Sequence, residues 1–308
     1  MARCLVVGAN GFLGSHLVDE LGRRGHEVTA FDRFSSGAHR FTSTTAIPIA
    51  GDFMNRAELA SALRNQDFVF HFVSTTTPAS SEDDPTLDVR TNITSSIDLL
   101  SLCVELGISR VYFASTGGAI YGDQPGMVLD ERAIPQPVSP YAIGKLAIEG
   151  YMRYFQRKYS LESVVFRVSN PYGPRQHPNR LQGVIPIFLN NMKQGIPVTL
   201  FGDGSMVRDY IFVSDAVRMI ADVVGADASH HLYNIGSGAG TSVAEVLSAV
   251  REVTGIDPEV LVAPIPATFV ASSVLAIERY EFEFGPRDLL SLREGIARTW
   301  AAIQDGVE

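Results

Sequence analysis

Seven residues near the N-terminus, GANGFLG at 8–14, constrain this chain more than any other stretch. An apolar run, Cys4 to Val7, leads into them, and a helical pattern from Phe12 to Arg24 leads out. Gly8, Gly11 and Gly14 therefore sit on a strand-to-helix turn at a G-x-x-G-x-x-G spacing. Glycines there let the backbone approach a pyrophosphate, whose charge is met by the first amides of the helix, those of Phe12 and Leu13. A glycine triplet alone is weak evidence, and its meaning depends on the next strand.

That strand-like run ends at Asp32, 18 residues after Gly14. A carboxylate at that place accepts from both ribose hydroxyls and repels a 2'-phosphate, so the expected cofactor is NAD rather than NADP. Asp52, in AGDF after the third run, is a candidate for the adenine edge.

Short β-rich runs alternate with longer helical patterns through the first half, which predicts βαβ units and a parallel sheet. Strands are expected at Glu27 to Phe31, Ala46 to Ala50, Asp67 to Val73, Arg110 to Ser115 and Ser163 to Val168. Helices are expected at Asn55 to Asn65, around Thr86 to Leu106, and at Ser139 to Tyr159. After Pro171, proline and glycine become frequent, while RDYIFV and HLYNIG read as strands that return to the first sheet. The predicted class is α/β, a Rossmann doubly wound parallel sheet with a smaller, interleaved C-terminal substrate lobe. Residues 1–171 and 206–236 would form the cofactor domain, and 172–205 with 237–308 the lobe. A length of 308 residues suits two such parts at about 150 residues per domain.

Composition narrows the partners. Lys and Arg total 25 against 34 acidic residues, a net charge of -9 with no basic block, which argues against nucleic acid and membrane surfaces. Two cysteines, Cys4 and Cys103, imply neither a disulfide framework nor a metal site and read as small buried hydrophobes. The strand pattern starts by Arg3, no apolar stretch is long enough to span a bilayer, and a cytoplasmic protein is expected.

The segment SPYAIGK places Tyr141 and Lys145 four residues apart, on one face of a helix. An adjacent ammonium favours the phenolate of a tyrosine, which could then take a proton from a sugar hydroxyl as hydride leaves the same carbon. Thr116 closes the fifth strand in ASTGGAIYG and could share that hydrogen bond, with Ser115 as the alternative.

The glycine triplet, Asp32, the Ser-Thr pair, Tyr141-x-x-x-Lys145 and NPYGPRQ together resemble the extended short-chain dehydrogenase/reductases. Within these the chain is most similar to the UDP-glucose 4-epimerase and nucleotide-sugar dehydratase group, and RDYIFV and YNIGSG extend the match to about Gly238. The resemblance implies a tightly held NAD that oxidises carbon 4 of a UDP-sugar and later returns the hydride. Tyr141 would be the base, Lys145 the group that lowers its pKa and holds the nicotinamide ribose, and Thr116 the hydroxyl partner. It further implies Asn170 near the substrate phosphate, Val184 and the segment Val198 to Phe201, with Thr199 and Phe201, around the nucleotide, and Arg208 on the diphosphate. A homodimer through the helices around Thr86 to Leu106 and Ser139 to Tyr159 is implied as well.

Three departures bear on the reaction. The Asp-Glu pair that serves 4,6-dehydration is replaced by Gly117 and Gly118. HFVSTTTP replaces a small-residue turn after the fourth strand; its hydroxyls either pack differently or lie beside sugar or cofactor. APIPATF stands where the family carries a second arginine for the diphosphate. From a carbon 4 ketone two endings stay open, 4-epimerisation and a 5,6-elimination of the UDP-N-acetylglucosamine type known from antibiotic biosynthesis. A rival of another class is a non-catalytic dinucleotide sensor on the same fold, against which Tyr141, Lys145 and Thr116 speak.

Overall fold

The computed structural model describes residues 1–35, 37–124, 126–176, 183–266 and 268–306. In chain order the first elements are β1 (Arg3–Val7), α1 (Phe12–Arg23), β2 (Glu27–Asp32), β3 (Ile47–Ala50), α2 (Arg56–Leu63) and β4 (Phe68–His71). There follow α3 (Pro78–Asp83), α4 (Pro85–Asp88), a π-helical turn at Val89–Ile93, α5 (Thr94–Glu105), β5 (Arg110–Thr116), α6 (Gly117–Ile120), α7 (Pro140–Tyr159) and β6 (Glu162–Val168). The remainder comprises β7 (Asn170–Tyr172), α8 (Val184–Gln194), β8 (Val198–Phe201), β9 (Val207–Phe212), α9 (Val213–Asp222), β10 (Leu232–Ile235), β11 (Gly240–Ser242), α10 (Val243–Thr254), β12 (Val260–Ala263), β13 (Ser272–Ser273), α11 (Glu278–Phe284) and α12 (Leu292–Gln304).

The chain forms two compact units. The first takes Met1–Ser115, Pro140–Arg167 and Val217–Tyr233, and the second Thr116–Ser139, Val168–Ala216 and Asn234–Glu308. The large sheet runs β10-β6-β5-β4-β1-β2-β3, and β1 pairs in parallel with both β2 and β4. This is the doubly wound order, with its reversal between β1 and β4, where ligands of such sheets bind at the carboxyl ends of the strands. β1 is an unbroken apolar run because both its faces are covered: Cys4, Leu5, Val6 and Val7 are fully buried. α1 buries Gly14, Leu17, Val18 and Leu21, a helical stripe turned to the core. Leu5, Val7, Val69, Leu99, Val111 and Phe113 belong to that core, each such burial worth roughly 1.5–3 kcal/mol. Cys4 and Cys103 are free and buried.

In the second unit a small sheet runs β11-β9-β13, with β7 also pairing to β9, while β8 and β12 form a separate parallel pair. A second core of Tyr172, Ile185, Phe188, Leu189, Val246, Leu247 and Ile296 lies among its helices. Capping boxes start α10 at Ser242 with Glu245 and α12 at Ser291 with Glu294.

The observed division differs from the expected one. Residues 116–139, 168–171, 206–216 and 234–236 fall in the second unit, and of the two strands expected to return to the large sheet only β10 does so. β9 stays in the small sheet because its Asp209 carboxylate accepts from the backbone N–H groups of Ser237, Gly238 and Leu275. The single helix expected from Thr86 to Leu106 is also broken. Asp84 caps α4 through Thr86 N and Leu87 N, Pro85 begins it, and the π turn interrupts the path to α5.

Candidate active site

At the switch point of the sheet the backbone leaves no room for side chains. Gly8 has φ +89°, and a Cβ on it would lie 2.6 Å from Val73 N; a Cβ on Gly14 would lie 2.0 Å from the Gly8 carbonyl oxygen. Gly11 caps α1 and brings no side-chain acceptor, and no acidic residue occupies the first turn. The amides of Phe12, Leu13 and Gly14 thus open a helix whose dipole favours an anion. Asp32 ends β2 half-buried, its Oδ2 accepting from Asn10 N at 2.9 Å and its Oδ1 from Arg33 N at 2.7 Å. The glycine turn and the carboxylate are therefore bound to each other, which fits a dinucleotide with pyrophosphate at α1 and ribose at Asp32. Asp52 is half-buried and its Oδ1 accepts from Met54 N at 2.9 Å, closing its own turn.

Tyr141 and Lys145 lie on the first turns of α7. The Lys145 ammonium is buried, donates to the Ala114 carbonyl at 2.9 Å, and lies 4.8 Å from the centre of the Phe113 ring and 5.7 Å from that of Tyr141. Burial pushes Lys145 down to about 8, opposed by the carboxylates of Asp88 and Glu149. The phenol of Tyr141 moves the other way from the expectation. Burial, and after that the charge of Asp88, hold it above the ordinary tyrosine value. At rest Tyr141 is a neutral phenol.

Ser115 does not offer its hydroxyl to a ligand; it donates to Glu149 Oε1 at 2.6 Å, and Glu149 is paired with Arg167 at 2.8 Å. Glu149, one further turn along the face of Tyr141 and Lys145, is a member of the site that motif reading missed, although the spacing 141, 145, 149 carries it. Thr116 ends β5 and precedes α6, where its hydroxyl makes no capping bond. The hydroxyls of the STTT turn bond to the chain itself: Ser74 donates to the Thr76 carbonyl, Thr75 to Asn92 Oδ1 and the buried Thr76 to Asp88 Oδ1, while Thr77 Oγ1 accepts from Ser80 N and caps α3.

In the second unit Asn170 and Arg208 share one pair of strands, since Asn170 on β7 donates from Nδ2 to the Asp209 carbonyl on β9 at 3.0 Å. Arg208 donates to the carbonyls of Val207 at 2.8 Å and Val270 at 2.6 Å. Burial pushes its guanidinium down, opposed by Tyr210 and Asp123. Val270, the residue after APIPATF, thus meets Arg208 with its carbonyl. Phe201, on β8, meets Phe269 edge to face at 5.2 Å, Thr199 is exposed, and Val184 opens α8 half-buried. Asp209, fully buried, is a second residue that motif reading left out; it fixes the strand on which Arg208 stands.

The strand order and the glycine turn define an α/β dinucleotide-binding protein of the Rossmann kind. The model of the NAD dependent epimerase/dehydratase family matches residues 4–236, and the chain belongs to that family. It is 33% identical over 303 residues to a UDP-glucose 4-epimerase of Mycolicibacterium smegmatis, covering 96% of this chain and 97% of the relative. A UDP-glucose 4-epimerase of Thermotoga maritima, solved with UDP-glucose, has a TM-score of 0.92 at 35% identity, covering 99% of this chain and 100% of that one. A UDP-glucose 4-epimerase of Thermus thermophilus, solved with NAD, matches with the same score, identity and coverage. The chain is an NAD-dependent enzyme of sugar-nucleotide epimerase/dehydratase type. Among the described residues no helix is long and apolar enough to cross a membrane.

Proposed function

We propose that the chain oxidises carbon 4 of a UDP-hexose or UDP-N-acetylhexosamine and returns hydride to the opposite face of that carbon, as a 4-epimerase. The observation that carries this reading is the pairing of Tyr141 and Lys145 on α7 with glycine, not a carboxylic acid, at 117 and 118. The chain has a proton shuttle for carbon 4, and those two places hold no acid for expelling a hydroxyl from carbon 6.

The Gly8–Gly14 turn and Asp32 would hold NAD, which when bound would supply the hydride acceptor and donor. Tyr141 takes the proton of the 4-hydroxyl and gives it back when hydride returns, so the sugar is redox-neutral overall. As a neutral phenol at rest, Tyr141 must be brought to its phenolate for the first step, and Lys145 is the cation placed to stabilise that charge. Thr116 hydrogen-bonds the 4-oxygen. Arg208 donates to the diphosphate, for which a planar guanidinium is suited. Asn170 lies toward the phosphate, and Val184, Thr199 and Phe201 flank the nucleotide. The relatives solved with UDP-glucose and with NAD support the ligand classes. A second copy of the chain docks on the apolar face of α7.

The test is incubation with UDP-glucose and UDP-N-acetylglucosamine in deuterated water, with carbons 4, 5 and 6 followed by NMR. Inversion at carbon 4 with no deuterium at carbon 5 is expected. Vinyl protons or exchange at carbon 5 would establish the 5,6-elimination instead, and no turnover of either sugar would favour a dinucleotide sensor. Tyr141→Phe should lower turnover by about a hundredfold to ten-thousandfold; unchanged turnover removes the catalytic assignment.

A further inference from the structure

The STTT turn after β4 has a use that its sequence does not disclose. Thr76, buried, donates to Asp88 Oδ1 at 2.5 Å, and Asn92 Nδ2 donates to the same oxygen at 2.7 Å and to Thr76 Oγ1 at 2.9 Å. Asp88 is 3% exposed, and among the described residues no ion pair engages it. It ends α4 where the π turn begins, and π turns concentrate at functional sites. With Oδ1 held from two sides, Oδ2 is turned to α7. A Cβ on Gly144 would fall 1.8 Å from it, so the carboxylate occupies the notch that this glycine leaves in the helix. Gly144 is one residue before Lys145 and three after Tyr141.

We propose that Asp88 is a positioning residue for this pair: caged by Thr76 and Asn92 and seated at Gly144, it keeps the buried Lys145 in its ammonium form. The charges around Lys145 make Asp88 the deciding one. On α7 itself stand Tyr141 and Glu149, and Glu149 is shared with Arg167 of β6. From β4 comes His71, which burial keeps neutral. From α4 comes Asp88 alone, and of the two carboxylates opposing the burial of Lys145 it acts more strongly. The same charge adds to burial in holding Tyr141 protonated at rest, so Asp88 acts on both members of the pair. The inference rests on Tyr141 and Lys145 being the reacting pair of the function proposed above.

Asp88→Asn tests it, because the amide oxygen still accepts from Thr76 and Asn92 and only the charge is removed. The chain has three lysines, 145, 158 and 193, so lysine labelled at Cε and Nζ gives three NMR signals, with Lys145 assigned from Lys145→Met. In the NAD-loaded enzyme without sugar, the Lys145 midpoint of Asp88→Asn should lie at least about half a pH unit below that of the parent. The alkaline limb of the turnover profile should move the same way. Coincident midpoints in the two folded proteins overturn the proposal, and so does a fall in Tm with no movement of either profile. Should Asp88→Asn not fold, Gly144→Ala, which places a methyl group where Oδ2 sits, must lower the Lys145 midpoint in its stead; an unchanged midpoint there is equally fatal. If Tyr141→Phe keeps full turnover while Asp88→Asn still shifts Lys145, the catalytic reading falls and the coupling stands.

Discussion

His71 is 2% exposed, with Nε2 2.6 Å from Ser96 Oγ, and burial together with the charge of Lys145 pushes it from 6.5 down to about 3. The folded chain therefore keeps it neutral, whereas the unfolded chain takes a proton below 6.5. Its contribution to stability is intact above pH 6.5 and is lost as pH falls toward 3, at about 1.4 kcal/mol per pH unit. His71→Gln should flatten the decline of urea-unfolding stability between pH 6 and 4 by about that slope, and parallel declines would refute the assignment. Glu149 makes a different demand. With Glu149 and Arg167 both buried, Glu149→Leu takes away the carboxylate that compensates Arg167 and should cost about 3–5 kcal/mol in the same measurement. The two residues also show what a sequence reveals at this scale. Tyr141 and Lys145 are legible because a phenol and an amine at i and i+4 carry chemistry in their spacing. Glu149 continues that face, yet a glutamate on a helix reads as solvated until Arg167, 18 residues on, is folded against it.

Among the elements, the glycine turn into α1 was the most legible, because its constraint is local: strand, turn and helix are contiguous and each glycine has a steric reason. Gly14→Ala puts a methyl group 2.0 Å from the Gly8 carbonyl, backbone against backbone with no flexible side chain to give way. Overpacking of this kind costs roughly 1–3 kcal/mol, and here the strain falls on the turn that faces the pyrophosphate. Retained NAD, measured by mass spectrometry of the heat-denatured supernatant, should drop about tenfold or more while the far-ultraviolet spectrum stays that of the parent. Full retention would show that α1 does not carry the cofactor. The region around Thr86 to Leu106 was far less legible. Its apolar spacing does predict a helix, but Asp84 and Pro85 restart the chain at α4 and the π turn offsets it before α5. The π turn is held by side-chain bonds among Thr75, Thr76, Asp88 and Asn92, which no periodicity reports.

For the whole molecule, the first half of the chain could be read because the central strands β1, β4 and β5 of its sheet are mostly buried apolar runs separated by helices. β9 could not be placed that way. Its apolar run suits either sheet, and what decides is the anchoring of Asp209 by amides 28 to 66 residues further along. A net charge of -9 likewise leaves the molecule's own association open, since charge is read over a whole surface and an interface is one patch of it. On α7 the exposed residues Ile143, Tyr151 and Tyr154 recur at helical spacing, with Val89 of the π turn exposed as well. A helix normally turns such a stripe to a core, and a stripe of large apolar side chains left outside marks a contact surface. A twofold dimer would cover it with the same surface of another copy, helix against helix. Light scattering should give twice the chain mass at micromolar concentration. Tyr151→Glu with Tyr154→Glu sets like charges against each other across the axis and should give single chains that still retain NAD. A dimer that survives the double substitution would place the interface elsewhere.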